Sequence, residues 1–389
     1  MVPPPPNPKS DFRNHVIAQP AVDRMSAPML LPAGIIFPSL MQTAFRWYGH
    51  SDRVPLVWLR QMMPRPLVVT HLSHVPVGEP WPVEDLKLLR TELEEHGLGL
   101  GPVESVFWTD AMKLGQPGRD QDIENYIRTL DNLRTVFPEP REIIITYNLM
   151  PLDWGRTAVA HLHANGTRGL AYDHAVMAKV DLSRGLFLPG WSRRYSAEDF
   201  HVLQKSYAEL GEDGFWKNAG YVLDALVPAA AARGMRLAAH PNDPPWGYLG
   251  LPAFLRNAAD IRRLLALHPH YANALCFCTG SYGAEPTNDI TGMIREFKDS
   301  IAWMHLRSVK TTGEKKFHEA DHADPTANVD LLKVMRTLVE IGWDGIFRSD
   351  HGLELLHESD IVTNGYPAID RYVANKMLWA YHQALKSVR

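Results

Sequence analysis

The stretches RLAAH at 236–240, ALCFC at 274–278, IAWMH at 301–305 and GIFRS at 345–349, the last followed directly by Asp350, decide the fold. Each is a short apolar run of the kind that forms a parallel strand buried on both faces. Each finishes on a residue type that binds metal: His240, Cys278, His305 and, just past the fourth run, Asp350. The separations of 38, 27 and 45 residues are each of the order of one strand-plus-helix unit. In a barrel of such units the C-terminal strand ends converge on one mouth, where active sites are built.

Upstream, Thr43–Trp47, Leu67–Thr70, Gly101–Val106 and Ile143–Tyr147 read as four more strands, making eight. Helical periodicity fills the gaps between them. Ile123, Tyr126, Ile127, Leu130 and Leu133 follow Asp120 as the expected N-cap, and Leu86, Leu89 and Leu93 precede Gly97 as the expected C-cap. Tyr221–Ala232 stops before Gly234, and Leu331, Val334, Leu338 and Ile341 stop at Gly342. Pro367–Leu385 supplies a last helix. The expected fold is therefore an α/β protein, a single (β/α)₈ TIM barrel over residues 41–389. Residues 151–214 are too long for one loop and are expected to form an insertion after the fourth strand. Residues 1–40, with Pro3–Pro6 and further prolines, are expected to form an extended arm, either an oligomer contact or, in the plainer reading, a disordered tail.

Composition narrows the function classes. Of 389 residues, 45% are hydrophobic and 22% charged, which is ordinary for a globular protein. A net charge of −4 with only short mixed basic runs argues against a nucleic-acid surface. The first twenty residues are proline-rich and polar with no apolar core, so no secretory signal is expected, and the apolar run Met29–Phe37 contains Pro32 and is far too short to span a bilayer. The two cysteines, Cys276 and Cys278, are too close for a structural disulfide within one strand, which favours a reducing compartment. A cytoplasmic enzyme without nucleic-acid or membrane partners is expected.

Singly, each strand-end residue has a plainer reading. A lone His is more often a hydrogen-bonded core residue, a lone buried Cys a small hydrophobe, and an Asp at a strand end a cap. Four at successive ends are a coincidence that a metal site removes. Two imidazoles, a thiolate and a carboxylate suit Zn²⁺, Mn²⁺ or Fe²⁺. Cys276 points to the same strand face as Cys278 but sits deeper, where core packing is expected.

Further stretches carry a resemblance. They are Phe45-Arg46-Trp47-Tyr48-Gly49, Val77-Gly78-Glu79, Val103-Glu104-Ser105-Val106, Pro117-Gly118-Arg119-Asp120, Tyr147-Asn148, Asp243-Pro244-Pro245, Cys278-Thr279-Gly280-Ser281, Phe317-His318-Glu319 and Asp350-His351-Gly352. With these in this order from about residue 42 onward, the chain resembles the mannonate dehydratases, which are xylose-isomerase-like barrels. The resemblance implies metal ligands at His240, Cys278, His305 and Asp350, and an acid/base pair at His351 and Tyr366. It also implies Mn²⁺ or Fe²⁺ as cofactor, and loss of water from D-mannonate to give 2-dehydro-3-deoxy-D-gluconate. Arg46, Lys113, Arg119, Asn148 and Arg307 are candidates for contact with this small sugar-acid substrate, Lys310 a further one for its anion, and a homo-oligomer is expected. The chain departs from the family pattern at Leu353, where arginine is usual, at Asn242 for Asp, at Ser349 for Pro, and in the loop Thr109-Asp110-Ala111. These departures fall on the substrate shell and leave the metal and acid/base positions intact. A metal-dependent sugar or sugar-acid isomerase or epimerase, and a carbohydrate-binding protein without turnover, are the competing readings.

Overall fold

A computed structural model describes residues 41–49, 52, 54–62, 66–139, 142–152, 154–184, 186–187, 194–356, 358 and 368–387. The expected arm at 1–40 and Tyr366 lie outside the described residues. Eight parallel strands close a barrel: β1 (Gln42–Arg46), β2 (Leu67–Thr70), β3 (Gly99–Glu104), β4 (Ile143–Asn148), β9 (Met235–His240), β10 (Asn273–Cys278), β11 (Ile301–His305) and β14 (Ile346–Arg348). The order around the barrel is β1-β14-β11-β10-β9-β4-β3-β2, so each strand pairs with its neighbours along the chain of βα units. Register brings the strand ends level: Asn148 pairs with His240, Cys278 with His305, and His305 with Arg348.

Alternation along each strand sorts two cores. Inside the barrel, Ala44, Val69, Ile144, Ala238, Ala274, Cys276 and Trp303 pack together. Most are small, and Trp303 fills the centre, its indole N–H donating across the barrel to Thr146 Oγ1 at 3.1 Å. The larger apolar side chains, such as Leu237, Phe277, Met304 and Phe347, pack outside the barrel in the larger core. Trp303→Ala should cost about 3–5 kcal/mol, because it empties the one place where small neighbours cannot close the gap. Urea denaturation checks this, and a loss below about 1 kcal/mol would mean that the barrel centre is filled some other way.

Boundaries differ from the sequence expectations in ways that matter. β3 runs Gly99–Glu104, two residues earlier than expected, so it ends on Glu104. β14 ends at Arg348, and Asp350 lies beyond it with φ +58°, a left-handed conformation unusual for a residue with a side chain. The helix expected to be capped by Asp120 is Arg119–Val136, with Gly118 at its N-cap; Asp120 sits in the first turn, where its charge favours the helix dipole. The helix expected from Tyr221 begins at Ala197 and runs to Ala231, kinked at Gly211. Burial of Phe200, Tyr207, Phe215 and Trp216 outweighs the poor helix propensity of its glycines.

A second, antiparallel sheet stands beside the barrel, in the order β12-β13-β6-β5. Two of its strands, β5 (Ala158–Leu162) and β6 (Arg168–Asp173), come from the segment after β4. The other two, β12 (Ser308–Gly313) and β13 (Lys316–Ala320), come from the segment after β11, which the sequence reading did not mark as strands. Two short strands, β7 (Leu186–Phe187) and β8 (Arg194–Tyr195), pair separately. Among the described residues no helix is long and apolar enough to cross a membrane.

Candidate metal centre and active site

The strand ends build the site. Potential ligand atoms of His240, Cys278 and His305 all lie within 4.8 Å of one another. Asp350 stands against two of them: its Oδ2 is 3.7 Å from Cys278 Sγ and 3.5 Å from His305 Nδ1. His240 donates from Nδ1 to the Pro241 carbonyl at 2.8 Å, which leaves Nε2 with its lone pair. His305 turns its Nε2 to Glu104 Oε1 at 3.3 Å, while its Nδ1 is buried without a hydrogen-bond partner among the described residues. A buried imidazole nitrogen facing a thiol and a carboxylate is what a cation site leaves when its protein groups are considered alone, so the residues fit a divalent metal.

Cys278 also caps the short helix Thr279–Gly283. Its sulfur accepts from Ser281 N–H at 3.4 Å and Ser281 Oγ–H at 3.1 Å. Burial alone would raise its pKa, but the Arg307 guanidinium and the adjoining His240 and His305 rings outweigh burial and hold it well below the usual thiol range. Cys276, two residues deeper, is pushed up to about 12 by burial, which His305 only partly offsets. The surroundings therefore favour a thiolate at Cys278 and a neutral core thiol at Cys276.

A buried ion network fixes the carboxylates. Arg307 donates from Nε to Asp350 Oδ2 at 2.7 Å, from Nη2 to Asp243 at 2.6 Å, and from Nη1 to both Glu319 oxygens at 3.1 Å. Arg156 grips Asp243 through two bonds of 2.9 Å and reaches Glu319 at 3.1 Å. Arg348 bridges Glu104 at 2.9 Å and Asp350 Oδ1 at 2.7 Å. Burial opposes ionisation of Asp350, yet His351, Arg348 and His305 keep its carboxyl well below the ordinary range. Glu319, likewise buried, is brought down to about 2 by Arg307, His351 and Arg156.

His351 lines the cavity above this network together with Glu104, Asn148, Trp154, His240 and Arg348. Its Nδ1 meets Glu319 Oε1 at 3.1 Å, and the carboxylate can only accept, so this nitrogen carries the proton. The remaining nitrogen, Nε2, lies 3.7 Å from Asp350 Oδ1. A neutral imidazole oriented by a carboxylate is a competent proton acceptor.

Of the residues singled out for substrate contact, Asn148 lines the cavity. Arg307 lies beneath it and spends its donors on Asp350, Asp243, Glu319 and Ser281. Arg46 is buried at the end of β1 with its guanidinium 4.9 Å from the Tyr48 ring centre, and is near enough to help keep Glu104 ionised. Lys113 is buried and donates to the carbonyl of the cavity-lining Met150 at 2.6 Å. Arg119 lies over the Tyr221 ring at 3.5 Å, outside the cavity lining, and Lys310 bonds Thr326 on the second sheet. The sequence reading passed over Glu104, Arg156, Asp243, Glu319 and Arg348 as functional residues. For Glu104 the signal was present: it too ends a barrel strand. Of the departures from the family pattern, Leu353 is buried against Gly169, Asn242 Oδ1 accepts from Phe254 N–H, and Thr109 caps the helix Asp110–Leu114.

Comparison with known proteins is in keeping with this geometry. A family model described as UxuA, D-mannonate dehydratase, matches residues 41–389. A mannonate dehydratase of Oceanobacillus iheyensis is 35% identical over 333 residues, covering 85% of this chain and 94% of the relative. One from Streptococcus agalactiae serotype III is 35% identical over 349 residues, covering 89% and 99%. The crystal structure of mannonate dehydratase from Streptococcus suis serotype 2 superposes with a TM-score of 0.79 at 31% identity, covering 90% of this chain and 95% of that one. D-allulose 3-epimerase from Methylomonas sp., with a TM-score of 0.52 at 11% identity over 90% and 98% of the two chains, shares the fold alone.

Proposed function

The chain belongs to the D-mannonate dehydratase (UxuA) family of hydro-lyases, and on that premise we propose that its barrel mouth converts D-mannonate to 2-dehydro-3-deoxy-D-gluconate and water. The observation that carries the reading is the meeting of His240, Cys278 and His305 at the strand ends, with Asp350 beside them and His351 next in the chain. In this reading the four strand-end residues hold Mn²⁺ or Fe²⁺, with Zn²⁺ also suited to the donor set. Such a cation, when bound, stabilises the negative charge that grows on the substrate carboxylate as the neighbouring carbon loses its proton.

The protein's own groups do the rest. His351 and Tyr366 share the two proton transfers, one removing the proton from the carbon next to the carboxylate, the other protonating the departing hydroxyl. Glu319 holds the His351 ring at its Nδ1–H and keeps Nε2 turned to the cavity. Asn148 offers an amide to the substrate hydroxyls from the wall. Arg307 and Arg348 keep Asp350 ionised and in place, while Trp154, its ring centre 6.0 Å from that of His351, shields the imidazole from bulk water.

The test is incubation of the metal-loaded protein with a panel of hexonates and an assay for 2-keto-3-deoxy acids. The expected result is formation of that product from D-mannonate, its loss on chelation and its return with Mn²⁺ or Fe²⁺. A product of unchanged mass would instead indicate an isomerase or epimerase and sink the dehydratase reading.

A further inference from the structure

A second group of histidines lies away from the barrel mouth, on the antiparallel sheet. β5 and β13 flank β6, with His161 paired opposite Gly169 and His318 opposite Ala171. Directly opposed residues of antiparallel strands project to the same face, so both imidazoles stand over a strand that offers only small residues there. His163 follows immediately after β5, in the turn that returns the chain to β6, and its backbone N–H bonds the Thr167 carbonyl at 2.8 Å. The three rings are neighbours. Their centres are 5.1 Å apart for His161–His318, 5.4 Å for His161–His163 and 4.7 Å for His163–His318.

That spacing has a chemical meaning. A metal–nitrogen bond of about 2.0–2.1 Å places an imidazole centre about 3.2 Å from the ion, so two such rings at a tetrahedral angle are about 5.2 Å apart. All three observed separations bracket this value. The nitrogens are prepared as well. His318 Nδ1 donates to the Glu319 carbonyl at 2.8 Å, which leaves Nε2 as a lone pair, the arrangement common to metal-bound histidines. His163 Nε2 is buried and has no hydrogen-bond partner among the described residues. Gly169 keeps the space open: a Cβ there would lie 3.0 Å from His163 Nε2 and 2.8 Å from Leu353 Cδ2. Burial and the neighbouring rings lower the pKa of His163 to about 4, and burial lowers that of His161, so both are neutral near pH 7, as ligands must be. Asp321 and Asp324 line the same open pocket and contribute negative charge, while Lys310 is held by Thr326 and Asp324.

We propose that His161, His163 and His318 form a second divalent-cation site, of the three-imidazole type that suits Zn²⁺, with a remaining coordination position open to the pocket. As placed, the three nitrogens are not gathered on one point, so binding requires rotation of the rings about χ2, a torsion that is broad for histidine. The site ties β5 to β13 from the outer face. Glu319, which follows His318 on β13, projects from the opposite face to His351. A cation on the triad therefore braces the strand that orients the imidazole of the mouth without touching the mouth itself.

The experiment is equilibrium dialysis of the untagged full chain against buffered Zn²⁺, with zinc per chain measured by elemental analysis. The expected stoichiometry is two for the wild-type chain, one for His161→Ala and one for His163→Ala, with far-UV circular dichroism unchanged. His161 is exposed at the sheet edge, so its replacement leaves the fold intact. Cys278→Ala, which removes a ligand at the mouth, should also bind one, and its combination with His161→Ala none. Two zinc ions in both triad variants, or one in the wild-type chain and one in His161→Ala, would overturn the second site. One in the wild-type chain and none in His161→Ala would support the triad while removing the metal from the barrel mouth, so the two readings fail separately.

Discussion

Replacing His351 by Asn lowers turnover on D-mannonate by about 10²–10⁴-fold, the contribution of one positioned acid or base. The imidazole is held at Nδ1 by Glu319, and its other nitrogen faces the cavity beside Asp350. An amide can keep the bond to Glu319 but cannot accept and release a proton near neutral pH. The loss therefore falls on kcat, and KM changes far less, because the group acts in the transition state. Bound metal stays at the wild-type level, since His351 is not among the ligands. Tyr366→Phe gives a loss of similar size, and the double variant loses less than the product of the two, as both serve one reaction coordinate. Single-turnover kinetics with the metal-loaded variants measure this. Near-normal dehydration by His351→Asn would take that residue out of the mechanism.

Cys278→Ala empties the mouth of metal, whereas Cys276→Ala leaves it loaded. Disturbing even an outer partner of a metal ligand costs about 10–100-fold in affinity, and loss of the thiolate itself costs at least that much. The two sulfurs differ by their surroundings alone. Cys278 lies at the strand end, under the influence of Arg307 and within reach of His240, His305 and Asp350. Cys276 sits one side chain deeper on the same face, 3.5 Å from His305 Nε2, among Ala238, Ala274 and Trp303. Its replacement trims the core slightly and keeps every ligand. Elemental analysis after removal of free metal compares the two; equal metal in both variants would contradict the assignment of the thiolate.

The strand-end rule worked because two facts are local: a buried parallel strand is a short apolar run, and its last residue faces the mouth. His240, Cys278 and His305 were legible for that reason. Glu104 obeys the same rule and was missed because β3 begins and ends two residues earlier than its sequence suggests. The glycines at 99 and 101 obscured the start; Gly101 is needed there, since a Cβ would lie 3.0 Å from the backbone of Val68. Asp350 was singled out by residue type although it lies past the strand, in a left-handed conformation that no pattern announced.

From the sequence by itself came the eight-strand alternation, the metal-ligand chemistry at consecutive strand ends, and the family, since each is written in residue types at short or regular spacing. Only the tertiary structure decided which charges pair. Arg156 meets Asp243 and Glu319, and Arg307 gathers Asp243, Glu319 and Asp350, across separations of 12 to 163 residues of chain. It also decided that β12 and β13 cross to β6 and complete a second sheet, which carries Glu319 to His351 on one face and His318 to two other histidines on the opposite one. The physical reason is that periodicity and end residues depend on neighbours along the chain. An ion pair or a strand pairing depends instead on where two distant backbones are brought by the burial of everything between them.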